Sequence, residues 1–330
     1  MPLHVSVLGG PRDDNALLVR ALGGQSARRL LFDCGEGVLR GVARADVQDI
    51  DHLFFSHLHM DHVAGFDGFF RVNAARPRTV DVWGPAQTAT LLHHRLRGVM
   101  WNLHAGLPGT WDVHDIHEDH VSGARFRLAE AFAARHELPR VEREDAVILR
   151  DDALSVEAYL LDHRTPSAAY VVRKTPRVNL DTDRLRELGL TPGPWVSRLK
   201  AGEEGTLEAQ GRTFHLADLR GELLRTTPGE SVAYLTDFLL DEEAHARLTS
   251  VLRGVDTVVC ESQYRAHDHA LAIANHHMTS VQAARLARDA DVGRLVLFHV
   301  SERYDAADLP GLLAEARAVF PRVEFPPHWT

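Results

Sequence analysis

An apolar run, His52-Leu53-Phe54-Phe55-Ser56, stops abruptly against a block of ionisable side chains: His57, His59, Asp61 and His62. A short run of this kind reads as a buried strand. Alternate residues of extended backbone point to the same side, so His57 and His59 can bind one ion together. Asp61 and His62 follow where the chain turns into Val63-Ala64-Gly65 and can face a second ion a few ångströms away. Such a strand needs a sheet core behind it and a rim site in front of it. Imidazole and carboxylate suit zinc, and equally manganese or iron, while the absence of thiolate favours a catalytic over a structural site. Histidine is abundant, 21 of 330 residues, so fixed spacing carries this argument and single histidines do not.

The rest of the chain supplies the sheet. Strand-like runs occur at 29–33, 79–85, 154–161, 168–172, 231–236, 257–260 and 294–300, with helical periodicity at 87–99, 241–253, 279–289 and 309–319. Strands interleaved with helices over the whole length predict an α/β architecture, with polar residues gathered where strands end. The expected organisation is one domain over 1–330 with two interruptions. Residues 100–150, rich in His, Glu and Asp, read as an irregular or helical insertion, and His114, His117 and His120 within it as a solvated acidic face with no strand to fix them. Residues 173–200 contain Pro176, Pro192 and Pro194 and carry seven Arg and Lys against three acids, a basic departure in a chain of net charge −9.

Composition narrows the class. Cys34 and Cys260 form no Cys-x-x-Cys pattern, which argues against a disulfide framework or a thiolate knuckle. Neither a signal-peptide pattern nor a membrane-spanning apolar run is present, so a cytoplasmic protein with no membrane partner is expected. The net negative charge argues against non-specific coating of nucleic acid but leaves room for a local basic patch.

His57-x-His59-x-Asp61-His62 after an apolar strand resembles the signature of the metallo-β-lactamase superfamily, and Leu31-Phe32-Asp33-Cys34-Gly35-Glu36-Gly37 looks like its preceding turn. Further motifs resemble those of ribonuclease Z, the tRNA 3′-processing endonuclease. They are Leu161-Asp162-His163-Arg164-Thr165-Pro166, Tyr234-Leu235-Thr236-Asp237, Val259-Cys260-Glu261-Ser262, His277-Met278-Thr279 and Leu297-Phe298-His299-Val300-Ser301-Glu302-Arg303-Tyr304. The resemblance implies an αβ/βα sandwich with an inserted basic arm at 173–200, and two divalent ions per subunit, zinc first and manganese as the alternative. It implies His57, His59 and His163 around one ion, Asp61, His62 and His299 around the other, and Asp237 bridging. Asp61, Glu261 and His277 would be catalytic, with the Glu261–His277 pair supplying a proton to the leaving oxygen. Precursor tRNA would be the substrate, its 3′ trailer removed, and the protein a homodimer. Substrate contacts would fall on Asn15, Ser301 and Arg303 and, in the basic stretch, on Arg173, Lys174, Arg198 and Lys200.

The chain departs from the family pattern where Asp13 and Asp14 crowd the first turn, where Cys260 replaces a histidine and where Phe238 follows Asp237. The nearest rival is another phosphodiesterase of the same fold, acting on cyclic nucleotides or as a broader DNA or RNA nuclease. A lactonase or thioesterase has no need of a basic arm. A flavodiiron oxidoreductase would want another ligand set, and a non-catalytic RNA-binding descendant would be expected to lose ligands.

Overall fold

The computed structural model describes residues 3–23, 26–103 and 106–329. It divides into two compact units, residues 1–173 with 230–330, and residues 174–229.

The first unit holds two sheets. One has nine strands in the order Leu3–Leu8, Ala16–Gly23, Ser26–Phe32, His52–Phe54, Val80–Pro85, Thr110–Ile116, His120–Arg127 and His136–Glu137, with Val141–Glu142 also on His120–Arg127. The other has seven: Val147–Arg150, Leu154–Asp162, Pro166–Lys174, Ser231–Leu235, Thr257–Glu261, Arg294–Phe298 and Val323–Glu324. The two-residue period of the strands sorts their side chains between layers. Val232, Tyr234, Val259, Val296 and Phe298 join Phe32, Phe54 and Tyr170 in a core between the sheets. Their neighbours Ala233, Leu235, Val258, Cys260, Leu295 and Leu297 pack instead against the helices Glu242–Val251, Ser280–Asp289 and Leu309–Arg317. On the other sheet, Leu31, Leu53, Val82 and Trp111 pack with the helices Phe66–Asn73 and Thr88–Arg97. The result is a helix–sheet–sheet–helix sandwich, the metallo-β-lactamase fold. No helix of the described residues is long and apolar enough to cross a membrane.

Residues 100–150 are not an irregular or helical insertion. Thr110–Ile116 lies parallel to Val80–Pro85, and His120–Arg127 pairs back on it antiparallel. Charge hid these strands because it is neutralised across them. Asp112 stands opposite Arg125 and receives two 2.7 Å hydrogen bonds from it, a cross-strand pairing that stabilises a sheet. His114 stacks on Trp83 with ring centroids 3.9 Å apart and reaches Asp81 at 3.1 Å, and His117 stacks on His120. These histidines are therefore fixed in or beside strands, away from the ligand groups described below.

The second unit corrects the expected arm in extent and charge. It runs to 229, with the antiparallel pairs Arg177–Leu180 with Leu224–Thr227 and Thr206–Ala209 with Arg212–His215, and the helices Thr182–Glu187, Trp195–Lys200 and Leu216–Leu223. Leu185, Leu190, Leu199, Leu216, Leu219 and Leu223 form its own core, half of it from residues beyond 200. The full unit carries nine Lys and Arg against eight Asp and Glu. Arg184 pairs with Glu187 and Glu222, Arg186 with Asp183, Arg198 with Glu203 and Arg225 with Asp181. The local excess of positive charge at 173–200 is thus largely met within the unit.

Candidate metal centre

The site forms where parallel strands of both sheets end. Ser26–Phe32 delivers Asp33, His52–Phe54 leads to Ser56 and His57, Ser231–Leu235 to Asp237, Thr257–Glu261 to its own last residue, and Arg294–Phe298 to His299. Carboxyl ends of parallel strands are where open α/β sheets build sites. Asp33, Asp237 and His299 turn there with φ of 59°, 51° and 52°, a left-handed conformation that Asp and His adopt more readily than most residues. The loop after Cys34 is locked to the ligand motif: Cys34 N donates to His62 O at 2.8 Å and Gly65 N to Cys34 O at 2.8 Å. A Cβ on Gly65 would lie 2.1 Å from Gly35 O, so only glycine fits this approach.

Two groups of the expected ligand atoms converge. In His57, His59 and His163 they lie within 4.8 Å of one another, and likewise in Asp61, His62, Asp237 and His299. A third group, Asp237, Glu261, His277 and His299, shares Asp237 and His299 with the second. Asp237 stands between the first two groups. Its Oδ2 is 3.8 Å from His57 Nε2, 3.9 Å from His163 Nε2 and 3.2 Å from His62 Nε2, and its Oδ1 is 3.2 Å from His299 Nδ1. His299 Nε2 and His62 Nε2 also meet Asp61 Oδ2, at 3.3 and 3.2 Å. Such a cluster of nitrogens and carboxylate oxygens suits divalent cations. The buried His57 Nε2 has no hydrogen-bond partner among the described residues, a costly state for a buried polar atom unless something else satisfies it. Burial, with neighbouring imidazoles, takes the His57 pKa down to about 2, so its ring is neutral, as a metal ligand must be. The residues fit the ions expected of them.

Several side chains that aim the ligands were not singled out from sequence. Asp33, fully buried, accepts from Ser56 N at 2.7 Å and, at 2.8 Å, from Ser56 Oγ and Tyr234 Oη, and meets His62 Nδ1 at 2.8 Å. It thereby turns His62 Nε2 toward Asp61 and Asp237, the second-layer support expected of a ligating histidine. His163 Nδ1 meets the carbonyl of His276 at 2.8 Å. Asp33 closes an apolar strand just as Ser56 does, and that signal could have found it.

Burial disfavours charge on Asp61, but hydrogen bonds from His299 and His62 outweigh it and hold the carboxyl below the usual range. His277 Nδ1 lies 3.0 Å from Oε2 of fully buried Glu261, whose Oε1 accepts from Phe238 N at 3.2 Å. Burial opposes protonation of His277, yet Glu261 carries its pKa up to about 9. Its ring stands 4.9 Å from that of His163 and 5.9 Å from that of His299. Cys260 faces the helix layer, Sγ 3.5 Å from Met278 Sδ, so its replacement of histidine leaves the rim unchanged.

The expected substrate contacts are arranged differently. Asn15 is buried; its Nδ2 donates to Gly10 O at 2.9 Å and its Oδ1 accepts from His299 N at 3.2 Å. It holds the His299 turn and offers nothing outward. Arg173 is tied to Glu157 at 2.9 Å and to Val251 O at 3.1 Å. Arg303 lies 3.3 Å from Asp268, and Ser301 Oγ accepts from Arg303 N at 3.4 Å. Lys174 is buried, while Arg198, paired with Glu203, and exposed Lys200 share the helix Trp195–Lys200.

A model of the beta-lactamase superfamily domain matches residues 28–178. The chain is 47% identical to ribonuclease Z of Deinococcus radiodurans over 99% of its own length and 98% of that protein's. The chain belongs to the ribonuclease Z family. A family member from Synechococcus is 32% identical over 90% of this chain and 85% of its own. Among solved structures, the short form of human tRNase Z superposes with a TM-score of 0.51 at 16% identity, covering 98% of this chain and 95% of that one. The metallo-beta-lactamase fold protein YhfI of Bacillus subtilis does so with 0.57 at 16% identity, over 98% and 95%. At such identity these likenesses speak for the fold, which this ribonuclease Z family member shares with both.

Proposed function

We propose that this chain is a metal-dependent endoribonuclease that removes the 3′ trailer of precursor tRNA, leaving a 3′-hydroxyl on the tRNA and a 5′-phosphate on the trailer. Family membership supports the substrate, and one observation carries the chemistry: Asp237 Oδ2 lies within 3.2–3.9 Å of imidazole nitrogens from both ligand groups. His57, His59 and His163 would hold one divalent ion, and Asp61, His62 and His299 the other, with Asp237 reaching both. Zinc suits this donor set, with manganese as the alternative. When bound, the ions would supply an activated water at neutral pH and a sink for charge on the phosphoryl oxygens.

The chain's own groups do the rest. Asp61, ionised and half-exposed, orients or deprotonates the attacking water. His277, held at Nδ1 by Glu261, presents Nε2 as the acid for the departing 3′ oxygen. Residues 174–229 are the arm that grips the tRNA body, with Arg198 and Lys200 among its contacts. The protein acts in the cytoplasm as a homodimer in which the arm of one subunit serves the other. Chelation should abolish cleavage of a precursor tRNA, and zinc or manganese should restore it with two ions per chain by elemental analysis. Undiminished cleavage after chelation would contradict the reading.

A further inference from the structure

At the end of the first sheet remote from the metal centre lies a cleft of about 840 Å³ lined by six arginines and two aspartates, Asp49 and Asp51. It opens at the amino ends of the parallel strands. Arg28 and Arg29 sit on Ser26–Phe32, whose other end leads to Asp33, and Arg78 precedes Val80–Pro85. Four residues of strand place Arg29 about 13 Å from Asp33. Arg44 and Arg71 come from the helices Arg44–Gln48 and Phe66–Asn73, and Arg76 from the turn before Arg78.

Three of the six are neutralised: Arg28 by Asp151 at 2.5 Å, Arg29 by Asp49 at 2.9 Å and Asp46 at 3.5 Å, and Arg78 by Asp51. Arg44, Arg71 and Arg76 form no ion pair among the described residues. Arg76 Nη1 donates to Ile50 O at 2.8 Å and Asn73 Oδ1 at 3.4 Å, while its Nη2 is buried without a hydrogen-bond partner. Arg44 and Arg71 are exposed. Against a net charge of −9, three uncompensated guanidiniums around one concavity form a local field of opposite sign. Their planar forks match phosphate oxygens in geometry as well as charge.

We propose that this cleft is a phosphate-binding site separate from the metal centre, taking a phosphate group presented either by an RNA backbone or by a free anion such as inorganic phosphate or AMP. The RNA source rests on the endoribonuclease reading; the free-anion source does not.

The test uses the double variant Arg44→Ala/Arg71→Ala, which removes two exposed side chains without breaking an ion pair, beside Arg44→Lys/Arg71→Lys, which keeps the charge. Inorganic phosphate and AMP are titrated calorimetrically, and precursor tRNA cleavage is measured over a salt series with bis(p-nitrophenyl) phosphate as a small control substrate. If RNA supplies the phosphate, the alanine variant raises KM about fivefold or more, leaves kcat and the small substrate unchanged, and flattens the log–log salt slope by about 1.5, two contacts' worth. The lysine variant then recovers the slope. If a free anion is the ligand, phosphate or AMP binds the wild type and not the alanine variant, with KM for RNA unchanged. Phosphate binding that the alanine variant loses, in a protein whose wild type fails to cleave RNA, would uphold the site and sink the endoribonuclease reading. No difference between wild type and the alanine variant in any of these measurements overturns the site.

Discussion

Asp33 touches none of the atoms that would meet a metal, yet four hydrogen-bonding groups converge on it and His62 takes its orientation from it. Asp33→Asn would replace an acceptor with a donor facing Nδ1 of His62. Loss of such second-layer support typically lowers metal affinity about 10- to 100-fold. That loss should appear in chelator competition while the circular dichroism of the fold persists; unchanged affinity would remove Asp33 from the account. Glu261 makes a different kind of difference. With the His277 pKa raised to about 9, its acid form is present below that pH, and activity should fall as pH rises through it. Bound cations nearby disfavour a further positive charge, so the alkaline limb should begin at or below pH 9. Glu261→Gln should move it toward the ordinary imidazole value of about 6.5 without altering bound metal. A pH profile of kcat that Glu261→Gln does not shift would exclude His277 as the acid. At this scale the proposed ligands were legible because each is a His or Asp at or just past the end of an apolar run. The residues that aim them were not legible in role, although Asp33 closes an apolar run, because those roles arise from contacts across the chain: Tyr234 reaches Asp33 over 201 positions and Asn15 reaches His299 over 284.

Among the elements, legibility followed polarity. Runs such as Ser231–Leu235 and Thr257–Glu261, buried throughout, announce themselves as strands. Thr110–Ile116 and His120–Arg127 do not, because Asp112 and Arg125 carry charge that only their cross-strand pairing neutralises, and polar His114 finds its partner, Asp81, on another strand. The arm was cut short for the converse reason. Its prolines and basic residues cluster before 200, while Leu216, Leu219 and Leu223, which close its core, lie beyond. The chain leaves the first unit at Arg173 and re-enters it at Glu230, and the next residue, Ser231, stands opposite Arg173 in the antiparallel pair. A short glycine linker replacing residues 174–229 should therefore leave the first unit folded and active on bis(p-nitrophenyl) phosphate. Affinity for precursor tRNA should fall at least about tenfold, roughly 1.4 kcal/mol. Retained tRNA affinity in the deletion would show that the unit is not the arm.

For the molecule as a whole, two sheets packed face to face bring five strand ends to one rim, so residues from 33 to 299 share one site while their strands stay in the core. The opposite end of the first sheet carries the arginine cleft, which places cationic and metal-binding surfaces on separate faces of an acidic chain. Strand–helix alternation and the ligand motif made this architecture readable in outline. The far cleft was not readable, because Arg28, Arg44, Arg71 and Arg78 are brought together only by the parallel register of the strands between them. The account stands most directly on one measurement: cleavage of a precursor tRNA by the metal-loaded wild type and by Asp61→Ala, with both product ends mapped. Cleavage by the wild type at the end of the acceptor stem, giving a tRNA 3′-hydroxyl and a trailer 5′-phosphate, with turnover by Asp61→Ala reduced at least about a hundredfold, is the predicted result. An intact precursor, a 3′-phosphate on the tRNA, or an Asp61→Ala variant as fast as the wild type would contradict it.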